Sequence, residues 1–278
     1  MTPTLQTPEL DLVIRTAKEL CGVDINPERR YFIEARLGPL LDELGLDSYS
    51  DLCRRARDFA DPIARGEFIE RVTTHETYFF RDTSLFSALE NKVFPELFDA
   101  KVAARLPRSV RIWSAACSTG QEPYSVAMVI AQLLRTTTDE WTIEIVGTDV
   151  SEATVEKARS GYYKDFELAR SGRPELLDRY MAAEGAGRQV ESRIRSWVRF
   201  ETWDLQQDFA ALGNFDVILC RNVLIYFDED LRKDILKRIH SRLLPGGSLV
   251  VGATENLLGQ EALFSSAEHC GASIYTRK

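Results

Sequence analysis

The stretch VRIWSAACSTGQEPYSVA, residues 110–127, is a short apolar run that halts at a glycine and passes into a helical pattern. Three further runs rich in β-branched residues follow it: TIEIVGTD (142–149), FDVILC within FDVILCRNVLIYF (215–227), and SLVVGA (248–253). Helical segments stand between them, PYSVAMVIAQLLR (123–135), SEATVEKARS (151–160) and EDLRKDILKRIHSRLL (229–244). Strands that alternate with helices predict a parallel sheet covered on both faces. LLPGGSLVV (243–251) reads as a helix stop, a turn and a strand, and HCGASIYTRK (269–278) as a final edge strand. Residues 160–202 fit the alternation badly. Val190, Ser192 and Ile194, with Trp197 and Phe200 beyond, predict short antiparallel strands inserted before the next parallel strand.

Upstream the texture is helical. Leu10, Val13, Ile14, Ala17 and Leu20 recur at helical spacing. In 26–45, Asn26 is placed to cap, Pro27 to open the helix, and Gly45 to stop it, around a stripe of Ile33, Leu37, Leu40, Leu41 and Leu44. SYSDLCRRARD (48–58) and DPIARGEFIERVTTH (61–75) predict two more helices. The expected organisation is a helical domain over 1–72, a joining segment over 73–108, and an α/β domain over 109–278 with a β insertion at about 160–202.

Composition narrows the function. At 278 residues, 44% hydrophobic and 28% charged, the chain can bury a sizeable core without metal or disulfides. No apolar run is long enough to span a bilayer, and MTPTLQTPELDLVIR lacks the basic and apolar regions of a secretory signal. The net charge of -8 argues against nucleic acid as the main partner. Five scattered cysteines with no CxxC, and only three histidines, argue against a metal site and for a reducing cytoplasm.

Open parallel sheets bind ligands beyond the carboxyl ends of their strands. That rule selects the Gly120 turn with Glu122 after the first strand, Asp149 ending the second, and Asp204 ending the third, FETWDL. After the fourth strand it selects Arg221, Asn222 and Tyr226. Each has a bland alternative as turn former, loop or core, but four polar groups at four successive strand ends favour a site. Asp149 suits the two hydroxyls of an adenosine ribose. The single glycine is a poor pyrophosphate cradle, and no G-x-x-x-x-G-K-[ST] occurs, so a dinucleotide and a P-loop nucleotide are disfavoured. S-adenosylmethionine, which carries no phosphate, matches what is present.

The chain resembles the chemotaxis receptor methyltransferases, the CheR type of protein-glutamate O-methyltransferase. The resemblance rests on THETYFFRD (74–82), AACSTGQEPYS (115–125), GTDVS (147–151) and CRNVLIYFD (220–228) and runs over nearly the whole chain. It implies a Rossmann-like S-adenosylmethionine-dependent methyltransferase sheet with a small N-terminal all-helical domain and a small antiparallel β insertion. It implies a cofactor site of His75, Thr77, Arg81, Glu122, Asp149, Asp204, Leu205, Arg221 and Asn222, with Arg81 and Tyr226 near the transferable methyl. His75 stands where the family often has Asn, which puts its contact with the cofactor in question. Phe79 and Phe80 read as packing.

The implied reaction is attack of a receptor glutamate carboxylate on the sulfonium methyl, leaving a methyl ester and S-adenosylhomocysteine. A free Glu has a pKa of about 4.3, so at neutral pH it is already the nucleophile and no general base is needed. Aligning the reactants can supply on the order of 7–11 kcal/mol. The implied partner is the cytoplasmic domain of a chemoreceptor, reached by a cytoplasmic enzyme without membrane insertion, with a monomer as the default. Residues 1–72 hold 10 Lys+Arg against 14 Asp+Glu, so docking on an acidic target needs a local cluster. Arg29, Arg30 and Arg36 are the better candidate, Arg29 and Arg36 sharing a helix face; Arg54, Arg55 and Arg57 form the other cluster. In some family members the β insertion binds a receptor C-terminal peptide by strand addition, and 186–198 is the expected edge. A small-molecule or RNA methyltransferase, and a cofactor-sensing or scaffolding module, remain as alternatives.

Overall fold

The computed structural model describes residues 4–257 and 259–278, apart from the side chain of Thr136. Four helices open the chain: α1 (Thr7–Cys21), α2 (Arg30–Leu44), α3 (Tyr49–Arg57) and α4 (Pro62–Val72). Their ends follow local chemistry. Gly22 and Gly45 cap α1 and α2 in the left-handed region, at φ 75° and 64°, where a side chain would be strained. Ser48 Oγ accepts from the Asp51 N–H, and Asp61 Oδ1 from the Ala64 N–H, starting α3 and α4. Asn26 accepts from the Glu28 N–H as expected, but Pro27–Arg29 forms a separate tight turn before α2. The apolar stripes of the four helices close one core around Val13, Leu37, Leu41, Leu52 and Phe68, all essentially without solvent contact.

The joining segment folds as α5 (Thr83–Ala88) and α6 (Phe94–Ala103), with a wide turn over Leu89–Val93 between them. Phe79 and Phe80 are fully buried with Phe86 and Phe94, which is the packing role the sequence suggests.

The sheet and its helices follow: β1 (Ser109–Ala115), α7 (Gln121–Leu134), β2 (Thr142–Asp149), α8 (Glu152–Ser160), β3 (Tyr162–Lys164), α9 (Asp165–Leu168), α10 (Pro174–Tyr180), β4 (Met181–Glu184), β5 (Gly187–Val190), α11 (Ser192–Arg195), β6 (Val198–Thr202), β7 (Phe215–Cys220), α12 (Glu229–Arg242), β8 (Leu243–Val250), β9 (Phe264–His269) and β10 (Ala272–Arg277). The main sheet runs β6-β2-β1-β7-β8-β10-β9, parallel through β8 and antiparallel over the last two strands. The chain builds from β1 toward β6, then restarts on the other side of β1 with β7. The reversal leaves a crevice above the carboxyl ends of β1 and β7. Alternate residues of β1 serve opposite faces: Val110 and Ile112 join the core under α7, while Trp113 and Ala115 join the core under α12. Buried Trp113 donates its Nε1–H to Thr148 Oγ1 at 2.9 Å, so the indole enters the core without an orphaned donor.

Four sequence expectations are corrected. HCGASIYTRK does supply a strand, β10, but β9 is the edge and β10 pairs on both sides, because Phe264–His269 turns back as its hairpin partner. The alternation at 190–200 is not one of strands: Ser192–Arg195 is a helical turn, and Phe200 lies in β6, the third parallel strand of the main sheet. The small antiparallel sheet, β3-β5-β4, therefore lies within 162–190. Its central strand is β5, bonded to β3 and β4 at once, so 186–198 offers no free edge for strand addition. Finally, β8 runs through Pro245 and Gly246, with a register irregularity against β7, where a turn was expected.

Candidate active site

A cleft with about 980 Å³ of empty space opens above the carboxyl ends of β1, β2 and β7. The strand-end residues singled out in the sequence converge on it: Glu122, Asp149, Asp204, Leu205, Arg221, Asn222 and Tyr226. From the joining segment come His75, Thr77 and Arg81. The helical domain supplies part of the wall through Cys21, Val23 and Val72.

Asp149 is the most constrained of these groups. It is 6% exposed, and its Oδ2 accepts from the Ser118 N–H at 2.7 Å while Oδ1 accepts from the Ser151 N–H at 3.1 Å. Burial pushes its carboxyl above the ordinary carboxylate range, against the two backbone N–H bonds and the charge of His75. Each oxygen keeps a lone pair for a ligand hydroxyl. Asp204 is held by the Gln206 N–H at 2.8 Å and the Gln206 amide at 3.1 Å, and burial raises its carboxyl as well.

Arg221 forms the deep polar floor. Its side chain is 2% exposed and donates to Glu122 Oε2 and Asp82 Oδ2, both at 2.5 Å, and to the Arg81 carbonyl at 3.0 Å. Glu122 Oε1 accepts from Ser114 Oγ at 2.7 Å. Asn222 sits at φ 56°, a strained value for a side-chain residue that asparagine tolerates. Its N–H and that of Gly252 both donate to Glu255 Oε2 at 2.7 Å, which pins the ends of β7 and β8 together. Arg81 is half-buried and donates to the Glu76 carbonyl at 2.6 Å. Tyr226 lies on a tight turn, Leu224–Tyr226, whose carbonyl accepts from the Asp24 N–H of the helical domain at 2.8 Å.

His75 lines the cleft, but its Nε2 is engaged with Thr73 Oγ1 at 2.9 Å and with Glu70 Oε2 at 3.2 Å. Burial opposes a charge on the ring. The bond and charge of Glu70, with the charge of Asp149, outweigh it and raise the His75 pKa above its ordinary value.

Two expectations about the site change. Gly120, at φ 91°, is not among the residues that line the cleft. A Cβ there would meet Ala158 Cβ at 2.7 Å and Tyr163 Oη at 3.0 Å, so the glycine admits α8 and the small sheet behind the loop. Tyr163 in turn donates to the Thr119 carbonyl at 2.6 Å and fixes that loop. Arg36 is not a free docking cation: it donates to the Thr73 carbonyl at 2.5 Å and the Arg71 carbonyl at 3.3 Å, and its guanidinium lies over Phe32. Arg29 falls in the turn before α2, so spacing by seven does not put it on one helix face with Arg36. Arg30 pairs weakly with Glu34 at 3.5 Å. The second cluster is paired within its own domain: Arg54 with Asp51, Arg55 with Asp61 and Arg57 with Glu19.

Sequence reasoning missed Ser118, Trp203, Val150 and the helical-domain wall. Ser118 stands in the quoted loop and could have been chosen as its turn residue. Cys21 and Val23 carry no sequence signal, since only the docking of the two domains brings them to the cleft.

The cleft can be tested for S-adenosylmethionine by its own chemistry. Two residues that line it, Trp203 and Arg221, each carry a buried N–H, Nε1 and Nε, with no partner among the described residues. The acceptors Asp149 and Asp204 suit hydroxyl and amino donors, and the Glu122–Arg221 pair matches an amino acid's opposite charges. The residues fit, and the sheet and cleft together define an S-adenosylmethionine-binding methyltransferase. The chain matches the family described as "CheR methyltransferase, SAM binding domain" over residues 75–271 and "CheR methyltransferase, all-alpha domain" over 8–73. It is 38% identical over 264 residues to the chemotaxis protein methyltransferase Cher2 of Pseudomonas putida, covering 94% of each chain. It is 40% identical over 243 residues to chemotaxis protein methyltransferase 1 of Pseudomonas aeruginosa, covering 86% of this chain and 87% of that one. The chain belongs to the CheR methyltransferase family.

Proposed function

We propose that the chain methylates glutamate side chains of chemoreceptor cytoplasmic domains in the cytoplasm, with S-adenosylmethionine as donor. One observation carries the choice of a delivered side chain over a diffusible substrate. The cofactor cleft meets a second pocket, lined by Thr74, Glu76, Arg81, Asp82, Asn222, Ile225, Tyr226, Ala253 and Thr254. Arg81, Asn222 and Tyr226 line both spaces. A carboxylate on a side chain can enter through that mouth while the rest of its protein stays outside, against the exposed Ile225.

Within the cleft, Asp149 would accept from ribose hydroxyls, Asp204 and Leu205 would bound the adenine, and Glu122 with Arg221 would meet the amino and carboxylate groups. The bound cofactor supplies an electrophilic methyl on a sulfonium. The chain's own residues align the incoming carboxylate, which arrives ionised, so no residue has to take up a proton. Arg81 and Tyr226 orient the partners at the junction. Because charge is neutralised as the reaction proceeds, a tight ion pair to the attacking oxygens would retard it. Arg81 is anchored by its bond to the Glu76 carbonyl, which limits such a grip. On the outer surface, Arg29 and Arg30 remain the cations available for an acidic receptor helix.

The test is transfer of labelled methyl to receptor-containing membranes. A base-labile ester on the receptor supports the reading. Label on RNA or on a small molecule, or label bound but never transferred, refutes it.

A further inference from the structure

We propose that Glu70, in the helical domain, is a positioning residue for the cofactor site: it closes a ring of hydrogen bonds that holds Asp149 in place to receive the ribose. This rests on the cofactor reading of the cleft. The ring can be followed atom by atom. Glu70 Oε2 accepts from the Ser151 hydroxyl and faces His75 Nε2 at 3.2 Å. The Ser151 N–H donates to Asp149 Oδ1 at 3.1 Å. The other oxygen of Asp149 accepts from the Ser118 N–H at 2.7 Å. Ser118 Oγ donates to the His75 carbonyl at 3.0 Å, which returns the path to His75 and Glu70. The side chains of Glu70 and His75 are 30% and 19% exposed, so water only partly competes with their bond.

Position 70 does not touch the ribose-binding face directly. It acts through Ser151, whose N–H meets one oxygen of Asp149, and through His75, whose carbonyl holds Ser118 at the other. Without it, the serine hydroxyl loses its acceptor, and the histidine ring keeps only Thr73 Oγ1 at 2.9 Å and the Glu70 backbone carbonyl at 3.1 Å. A carboxylate clamp that is free to turn must be ordered when the ligand arrives, which weakens binding.

Charge gives this arrangement a signature that mere structural support lacks. The groups facing the imidazole are Glu70 and, behind it, Arg71 of α4, Asp149 of β2, and Cys117 and Ser118 of the loop after β1. Burial keeps the Cys117 thiol protonated. Arg36 of α2 meets the same segment only at the Thr73 carbonyl. Glu70 stabilises the protonated ring, and burial and the partner charges are balanced in favour of protonation. A protonated His75 makes a charge-assisted bond to Glu70; a neutral one keeps only an ordinary hydrogen bond. Cofactor affinity is therefore higher below the His75 pKa and falls as pH rises through it. Asp149 acts with the opposite sign, since its ionisation on the acid side strengthens the clamp.

The experiment is calorimetric titration of S-adenosylhomocysteine into the full chain between about pH 6 and pH 8.5, bracketing the ordinary histidine value of about 6.5. Wild type should lose about three- to tenfold in affinity toward the alkaline end. Glu70→Gln should bind about five- to tenfold more weakly than wild type at the acid end. It should also show a flattened profile, with kcat at saturating cofactor retained. His75→Asn should show no alkaline loss. Glu67→Gln, on the same helix but outside the ring, should match wild type. If Glu70→Gln binds like wild type, or wild type and His75→Asn share one profile, the proposal fails while the cofactor reading stands. If wild type binds no S-adenosylhomocysteine at any pH, the cofactor reading fails first.

Discussion

Replacing Asp149 with alanine probes both the fold and the site, and the structure sets the size of each effect. The substitution orphans two backbone donors, the N–H groups of Ser118 and Ser151, now bonded at 2.7 and 3.1 Å. An unsatisfied buried donor costs about 1–3 kcal/mol. Against this, removing the carboxylate relieves a burial penalty, seen in its raised pKa. The net loss of stability should be about 1–3 kcal/mol. At about 2–4 °C per kcal/mol for a chain of this size class, melting should fall by roughly 2–12 °C. The effect on ligand should be larger. Two ribose hydroxyls lose a charged acceptor, at about 1.5–3 kcal/mol per bond, and even the lower total near 3 kcal/mol is more than about 100-fold in affinity. Calorimetry with S-adenosylhomocysteine measures the second effect and thermal melting the first. A variant whose affinity stays within about threefold of wild type, less than 1 kcal/mol, would show that Asp149 does not receive the ribose.

Further outcomes follow from other parts of the site. Gly120→Ala should lower stability by about 2–4 kcal/mol, since the residue has φ 91° and a Cβ would strike Ala158; the folded fraction should bind cofactor normally, because the clash lies behind the loop. Arg221→Met leaves Glu122 and Asp82 facing each other without their cation, at a cost of about 3–5 kcal/mol by denaturant melting, and a smaller loss would mean the carboxylates find other partners. Arg81→Ala should reduce kcat about ten- to hundredfold, the worth of a charged hydrogen bond, with Arg81→Lys closer to wild type; equal losses would deny the guanidinium a role at the junction. For acid stability, the Arg111 bond and charge, aided by Arg199 against partial burial, hold the Glu144 carboxyl below its ordinary range. Its contribution is present above the unfolded pKa and is lost as pH falls through the folded one, so Glu144→Gln should flatten the acid limb of a stability profile.

Much of the frame can be read from the sequence because it is written in local pattern. β1, β2 and β7 are apolar runs ending in Ala115, Asp149 and Cys220, and the helices between them carry their own periodicity. The strand-end residues could be chosen for the same reason, and they do share one cleft. What could not be read depends on contacts between distant segments. The reversal of β9 and β10 is decided by which strand β8 accepts as neighbour. Arg36 looks like a surface cation until α2 docks beside the Thr73 carbonyl. Gly120 looks like a ligand turn until Ala158 and Tyr163 arrive behind it. Glu70 and Ser151 stand 81 positions apart, and neither belongs to a pattern that names the other.

The helical part of this chain has been treated by its sequence as a handle for a partner, yet Cys21, Val23 and Val72 are wall to the same chamber that Asp149 floors, and Lys18 reaches Asp228 at 2.7 Å just beyond Tyr226. Exchanging that bundle for a relative's would therefore also remodel the donor's chamber. Such a chimera would have to carry the matching lining residues across the seam, or it would weaken its hold on the methyl donor.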